Sequence, residues 1–118
     1  MSEVGSIEPT GIFAEMDAQP PLMRQQAAAA YLGKEVCWSL IFSNATQHGG
    51  QARLIFRFDP QSVRMVVGGV LLSSYPSLMR AHAGENALVR GRIRKIDDLS
   101  IELEIQELIL AHSTEVAR

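Results

Sequence analysis

Gly84-Glu85-Asn86-Ala87-Leu88-Val89-Arg90-Gly91-Arg92-Ile93-Arg94-Lys95-Ile96-Asp97-Asp98-Leu99-Ser100-Ile101-Glu102-Leu103-Glu104-Ile105 holds two runs of alternating character around one short turn. In the first run Ala87, Val89, Gly91 and Ile93 fall on one face, and Leu88, Arg90, Arg92 and Arg94 on the other. In the second, Ile101, Leu103 and Ile105 alternate with Glu102, Glu104 and Gln106. A period of two marks half-buried β-strands. Residues directly opposite one another in an antiparallel pair share a face, so Ile93 must meet Ile101 or Leu103. A turn at Asp97-Asp98-Leu99 satisfies this and sets Arg94 opposite Glu102, Arg92 opposite Glu104 and Arg90 opposite Gln106. The arginine row therefore has an acidic row beside it. Such exposed pairs contribute only about 0–1 kcal/mol each, but they neutralise the local field.

Upstream the same period recurs. Val36, Trp38, Leu40 and Phe42 alternate with Cys37, Ser39 and Ile41, a strand with large inward residues, and Ser43 to Gly50 read as a turn-rich loop. Ala52, Leu54, Phe56 and Phe58 point inward along a second strand, with Arg53, Ile55 and Arg57 outward, and Asp59-Pro60-Gln61-Ser62 supplies a turn. A third strand starts at Val63, where Val63, Met65 and Val67 alternate with Arg64 and Val66. Gly68-Gly69 then permits a bend. Serines before Pro76 and Gly84 after Ala83 frame a short helix of about two turns. Ahead of the strands, Asp17-Ala18-Gln19-Pro20-Pro21 reads as a helix start. Met23, Ala27, Ala30 and Tyr31 form its apolar stripe, and Gly33 closes it. Ile12 to Met16 form a brief apolar group. The expected organisation is a flexible arm over 1–11, one domain over 12–110 and a tail over 111–118.

The totals bound the function classes. The chain has 118 residues, 47% hydrophobic and 20% charged, with 11 Lys+Arg against 13 Asp+Glu and a formal charge of −2. That suits one soluble domain and argues against a disordered chain or a general nucleic-acid coat. Cys37 is the only cysteine, so no intramolecular disulfide forms and a reducing compartment is expected. The acidic start lacks the pattern of a secretory signal, and no run reaches the roughly 18 apolar residues of a spanning helix. A cytoplasmic protein without a membrane partner is the expectation. Catalysis finds no support: His48, His82 and His112 lie in unrelated contexts and make no zinc spacing with Cys37. Cys37 reads as a packed thiol, Asp97 and Asp98 as turn residues, and no nucleophile elbow or phosphate loop occurs. No catalytic residue, metal site or cofactor is expected.

Helix, three strands, a short helix and two strands are the element order of a mainly β, five-stranded OB-fold Greek-key barrel with an N-terminal α-helix and a short helix between strands 3 and 4. The chain also resembles the tRNA-anticodon-binding-like family of small bacterial OB-fold domains, most of them uncharacterised. The resemblance rests on Tyr31-Leu32-Gly33-Lys34 at the helix-to-strand junction, Trp38 in the strand that follows, Gly84 to Ile93, and Ile101-Glu102-Leu103 after the tight turn, and it covers roughly residues 12 to 110. It implies the fold and a binding role, not a particular ligand.

OB-folds that bind nucleic acid use the outer face of strands 2 and 3, with basic residues for the backbone and aromatics for stacking. Arg53, Arg57 and Arg64 are the candidate face, with Arg90 and Arg92 as helpers. Phe56 and Phe58 point inward, so stacking, worth about 1–3 kcal/mol per base, is missing. The leading expectation is thus a non-catalytic binding module acting through protein–protein or ligand contacts; the alternative is single-stranded nucleic-acid binding through the basic face. Val66, Val70, Leu71, Leu72, Leu108 and Leu110 fall on nominally outward positions; they are expected to cover the barrel ends or the leading helix, the alternative being a patch that a second copy or another protein covers.

Overall fold

The structure is a computed structural model and describes residues 8–58 and 63–110. Five strands form it: β1 (Glu35–His48), β2 (Gln51–Arg57), β3 (Met65–Leu71), β4 (Asn86–Ile96) and β5 (Ser100–Leu110). They close into a barrel in the order β1-β2-β3-β5-β4, antiparallel throughout except for the parallel β3–β5 pair. This is the OB-fold. Two helices precede the barrel: α1 (Pro9–Asp17), and α2 (Arg24–Ala29), which a 3₁₀ turn at Pro21–Met23 leads into. The short helix expected between β3 and β4 is there as two 3₁₀ turns, Leu72–Ser74 and Pro76–Arg80.

β1 is the largest departure from the sequence reading. The expected loop from Ser43 continues the strand to His48, and only Gly49-Gly50 turn, with Gly49 at φ 64°. The first half of β1 pairs with β4, from Glu35↔Arg92 to Ile41↔Asn86, and the second half with β2, from Ile41↔Arg57 to His48↔Gln51. The register slips between Phe42 and Asn44, a bulge at Ser43 that bends the strand from one neighbour to the other.

β3 has the opposite phase to that expected. Val66 and Val70 are buried, because they pair with inward Phe56 and Ala52 and opposite residues share a face. Val63 lies outside β3 and is 77% exposed. Leu108 and Leu110 are also buried, since a slip between Arg90 and Gly91 switches the parity of β5 and brings Leu108 opposite Val89 and Leu110 opposite Ala87. Of the six nominally outward apolar residues, Leu71 alone is exposed, and Leu72 is half-buried against the core. The chain itself covers the others, and the alternative of an apolar patch for a second copy fails among the described residues.

The β4–β5 hairpin keeps its turn and its Ile93↔Leu103 and Arg92↔Glu104 pairs. A second slip, between Ile93 and Lys95, sets Lys95 opposite Glu102 in place of Arg94, and Arg90 meets Glu107 in place of Gln106. Asp97 Oδ1 accepts from the backbone N–H groups of Leu99 and Ser100 at 2.9 and 2.8 Å, as a turn aspartate does.

Pro9–Gly11 form the first turn of α1 rather than an arm; residues 1–7, the turn expected at 59–62 and the tail expected at 111–118 lie outside the described residues. The brief group at 12–16 is the buried stripe of that helix: Ile12, Phe13 and Met16 all join the core. In α2 the buried residue is Ala28, while Met23 of the expected stripe is 44% exposed. Gly33, at φ 85°, does close this segment, and its N–H donates to the Ile93 carbonyl at 2.8 Å. The barrel interior is filled by Trp38, Leu40, Phe42, Leu54, Phe56, Val89, Ile93, Ile101 and Leu103, with Phe42 edge-on to Phe56 at 6.0 Å.

Gly91 lies beside the slip in the β4–β5 ladder, where a Cβ would stand 2.5 Å from the Glu104 carbonyl oxygen, whereas a Cβ on Gly69 would meet nothing closer than the Ala52 carbonyl at 3.6 Å. Gly91→Ala should therefore lose at least about 2 kcal/mol in urea unfolding. Gly69→Ala should be neutral or slightly stabilising. Equal losses would show that the close strand approach is not what requires glycine at Gly91.

Candidate functional site

Alternation along β2 places Arg53, Ile55 and Arg57 on the outside of the barrel, as expected. Both arginines are exposed, and Ile55 between them is half-buried. Ile55 is opposite Val67 on β3, and Met65 lies two residues before Val67 on the same side. Val67 is only 5% exposed although it faces outward, so an apolar floor runs between the arginines. A groove of about 510 Å³ crosses this face, with Arg53 and Ile55 on one bank and the 97–100 turn on the other. Phe56 is fully buried, and Phe58 stacks on Phe13 at 5.8 Å. Among the described residues, no aromatic ring projects outward from β2 or β3.

The other three candidate arginines do not join this face. Arg64 precedes β3 and forms a clamp. Its Nη1 and Nη2 donate to the two carboxylate oxygens of Asp17, each at 2.8 Å, and its Nε donates to the Asp98 carbonyl at 3.0 Å. The guanidinium also lies 4.7 Å from the centre of the Phe13 ring. Arg64 thus joins the end of α1, the start of β3 and the β4–β5 turn. Arg90 and Arg92 sit on β4, which β1 separates from β2 and β5 separates from β3. Arg90 pairs with Glu107 at 3.1 Å, and Arg92 with Glu35 of β1 at 3.1 Å. The sequence reading found the acidic neighbours of the arginine row but not these partners. Glu35 lies 57 residues from Arg92, and no local pattern announces it.

The electrostatics follow from those contacts. The hydrogen bonds from Arg64 hold the Asp17 carboxyl below its ordinary 3.8, with the Arg64 and Arg24 charges adding to the effect. Arg64 is correspondingly raised, chiefly by its bonds to Asp17. Burial works to raise Asp97, but its bonds from the Leu99 and Ser100 backbone and the Ser100 hydroxyl outweigh this, and its carboxyl is lowered. The Tyr31 hydroxyl donates to Glu15, tying the end of α2 to α1, and that bond raises the tyrosine.

Cys37 is exposed on the outside of β1, not packed, because Val36 and Trp38 on either side of it take the inward positions. No three His, Cys, Asp or Glu side chains cluster as metal ligands among the described residues. No helix there is long and apolar enough to cross a membrane.

No protein-family profile matches this chain, and no curated protein matches it by sequence. Solved structures do. A lipoprotein from Klebsiella pneumoniae subsp. pneumoniae to which nucleic-acid binding is ascribed superposes with a TM-score of 0.63 at 14% identity, over 92% of this chain and 94% of that one. OBody AM3L09, bound to hen egg-white lysozyme, superposes with a TM-score of 0.59 at 10% identity, over 70% of this chain and 85% of that one. Asparaginyl-tRNA synthetase from Pyrococcus horikoshii gives 0.54 at 15% identity, over 70% of this chain but only 20% of the synthetase. Likeness at these identities establishes the OB-fold. It leaves the ligand open, since such barrels occur both in proteins linked to nucleic acid and in a protein complex.

The Arg64–Asp17 contact is testable through its pH dependence. A carboxyl lowered in the folded state contributes stability above its ordinary value and loses it as pH falls through the lowered one. The stability difference between the natural protein and Asp17→Asn should stay constant from neutral pH to about 3.8, then shrink on further acidification. Thermal melts across that range measure it, and a difference that persists unchanged into strong acid would contradict the clamp.

Proposed function

We propose that this protein is a non-catalytic binding module that takes a protein segment on the outer face of β2 and β3. The observation that carries the reading is the make-up of that face: an apolar floor of Ile55, Met65 and Val67 between Arg53 and Arg57, with no outward ring. An apolar floor with cations along its β2 side suits a peptide with apolar side chains and an acidic one placed toward β2. A nucleic-acid strand needs stacking surfaces and a row of backbone contacts. Three of the five candidate arginines are already bound to carboxylates of this chain. The resemblance of residues 31–34 and 84–93 to the tRNA-anticodon-binding-like domains is part of the same reading, as is a reducing, cytoplasmic setting for the lone Cys37.

Single-stranded nucleic acid is the second reading. It is favoured by Arg53 and Arg57 and by the likeness to the Klebsiella pneumoniae lipoprotein over nearly the whole length of both chains. A photo-crosslinking amino acid at Ile55, with a control at Glu104 on the outside of β5, separates the two. The proposal predicts adducts at Ile55 alone that protease removes and nuclease leaves intact. Adducts that nuclease removes would replace it with the second reading.

A further inference from the structure

β1 has an open edge. Its pairing with β4 ends at Ile41↔Asn86, yet the strand runs on to His48 with β2 as its only paired strand among the described residues. His48↔Gln51 closes the two-residue turn, so His48, Thr46 and Asn44 direct their backbone groups to β2. The backbone groups of Ala45 and Gln47 then point the other way, where no strand lies among the described residues. The Ala45 N–H confirms this direction: it donates not to β2 but to the Asn44 side chain beside it, at 2.8 Å.

Exposed edges are ordinarily guarded by charge or proline, since unpaired backbone groups template another strand. Ser43-Asn44-Ala45-Thr46-Gln47-His48 contains neither lysine, arginine, acid nor proline. Alongside it runs a groove of about 350 Å³, walled on the far side by Leu72, Leu78 and Met79 of the 3₁₀ turns. None of the residues lining that groove is charged, and Met79 at its rim is 71% exposed.

We infer that the Ser43–His48 edge of β1 is a strand-addition site for an extended, uncharged peptide with apolar side chains at alternate positions. Such a peptide bonds the backbone of Ala45 and Gln47 and lays every second side chain into the groove. The uncharged lining sets the chemistry, because a charged side chain placed there would lose water and find no partner. This site is separate from the β2–β3 face, and each can fail without the other.

The test uses peptides selected on the full-length protein from a phage-displayed random library, and the synthetic form of the most enriched one. The selected sequences should alternate apolar residues and lack charge. In hydrogen exchange, the Ala45 and Gln47 amides should be faster than those of Asn44 and Thr46 in the free protein, and should become protected on peptide binding. Ala45→Pro removes an edge donor without touching the β2 ladder, and should weaken the peptide about tenfold. Met79→Asp, at an exposed side chain, should weaken it also and keeps the test valid if the proline variant fails to fold. A library that yields no enrichment overturns the inference, as does a peptide indifferent to both substitutions. Protection of the same two amides by rising protein concentration alone would also overturn it, because a second copy would then be the occupant.

Discussion

The 14 residues of β1 take part in two ladders. One half holds β4 and the other holds β2, and the bulge at Ser43 turns the strand from the first to the second. A sheet of five strands closes only if some strand bends enough to serve two neighbours along its length, and the bulge supplies that bend. Were the strand to stop at Phe42, β2 would lose its partner along Asn44–His48 and the barrel would open on that side. The positions of both binding surfaces follow. β2 is held with Arg53, Ile55 and Arg57 outward, and the part of β1 that has passed beyond β4 is left with an edge that no second strand of the described residues joins.

Three of the candidate arginines serve assembly. Arg64 carries no barrel position of its own, yet it reaches Asp17 across 47 residues, the Asp98 carbonyl and the Phe13 ring. Together with the Phe13–Phe58 stack, these contacts hold α1 on the barrel. Arg90 and Arg92 link β4 to β5 and β1 through Glu107 and Glu35. The β2–β3 face carries Arg53 and Arg57 on β2 beside an apolar floor. A near-neutral chain of this kind draws its specificity from shape and a few placed charges, not from a broad positive field.

Strands whose inner and outer residues differ in character were legible in the sequence: β2, β4 and the first half of β5 have the faces expected, and the turn at Asp97–Leu99 is where parity requires it. β3 was not, because Met65-Val66-Val67-Gly68-Gly69-Val70 is apolar on both faces and only the pairing with Phe56 and Ala52 decides which side is in. The second half of β1 was hidden for the opposite reason. An exposed edge has no buried face, so Ser43 to His48 show polar, turn-like composition while lying in a strand. Bulges defeated the parity argument past Gly91 and past Ile93, since a single extra residue inverts every later side chain. Of the candidate site, the outward direction of Arg53 and Arg57 was readable from alternation. The loss of Arg64, Arg90 and Arg92 was not, because two of their partners lie on distant elements and Arg90 reaches Glu107 only through the slip.

The claim on which the functional account turns is that Arg64, Arg90 and Arg92 are taken up by carboxylates of this chain and do not serve a phosphate chain. Fluorescence anisotropy of a labelled single-stranded oligonucleotide across a salt series reads this directly. For single strands the logarithm of affinity falls against the logarithm of salt with a slope of about −0.7 for each phosphate neutralised. The account predicts either no binding at low salt or a slope no steeper than about −1.4. A slope near about −3.5, the value for all five candidate arginines neutralising phosphates, would contradict it.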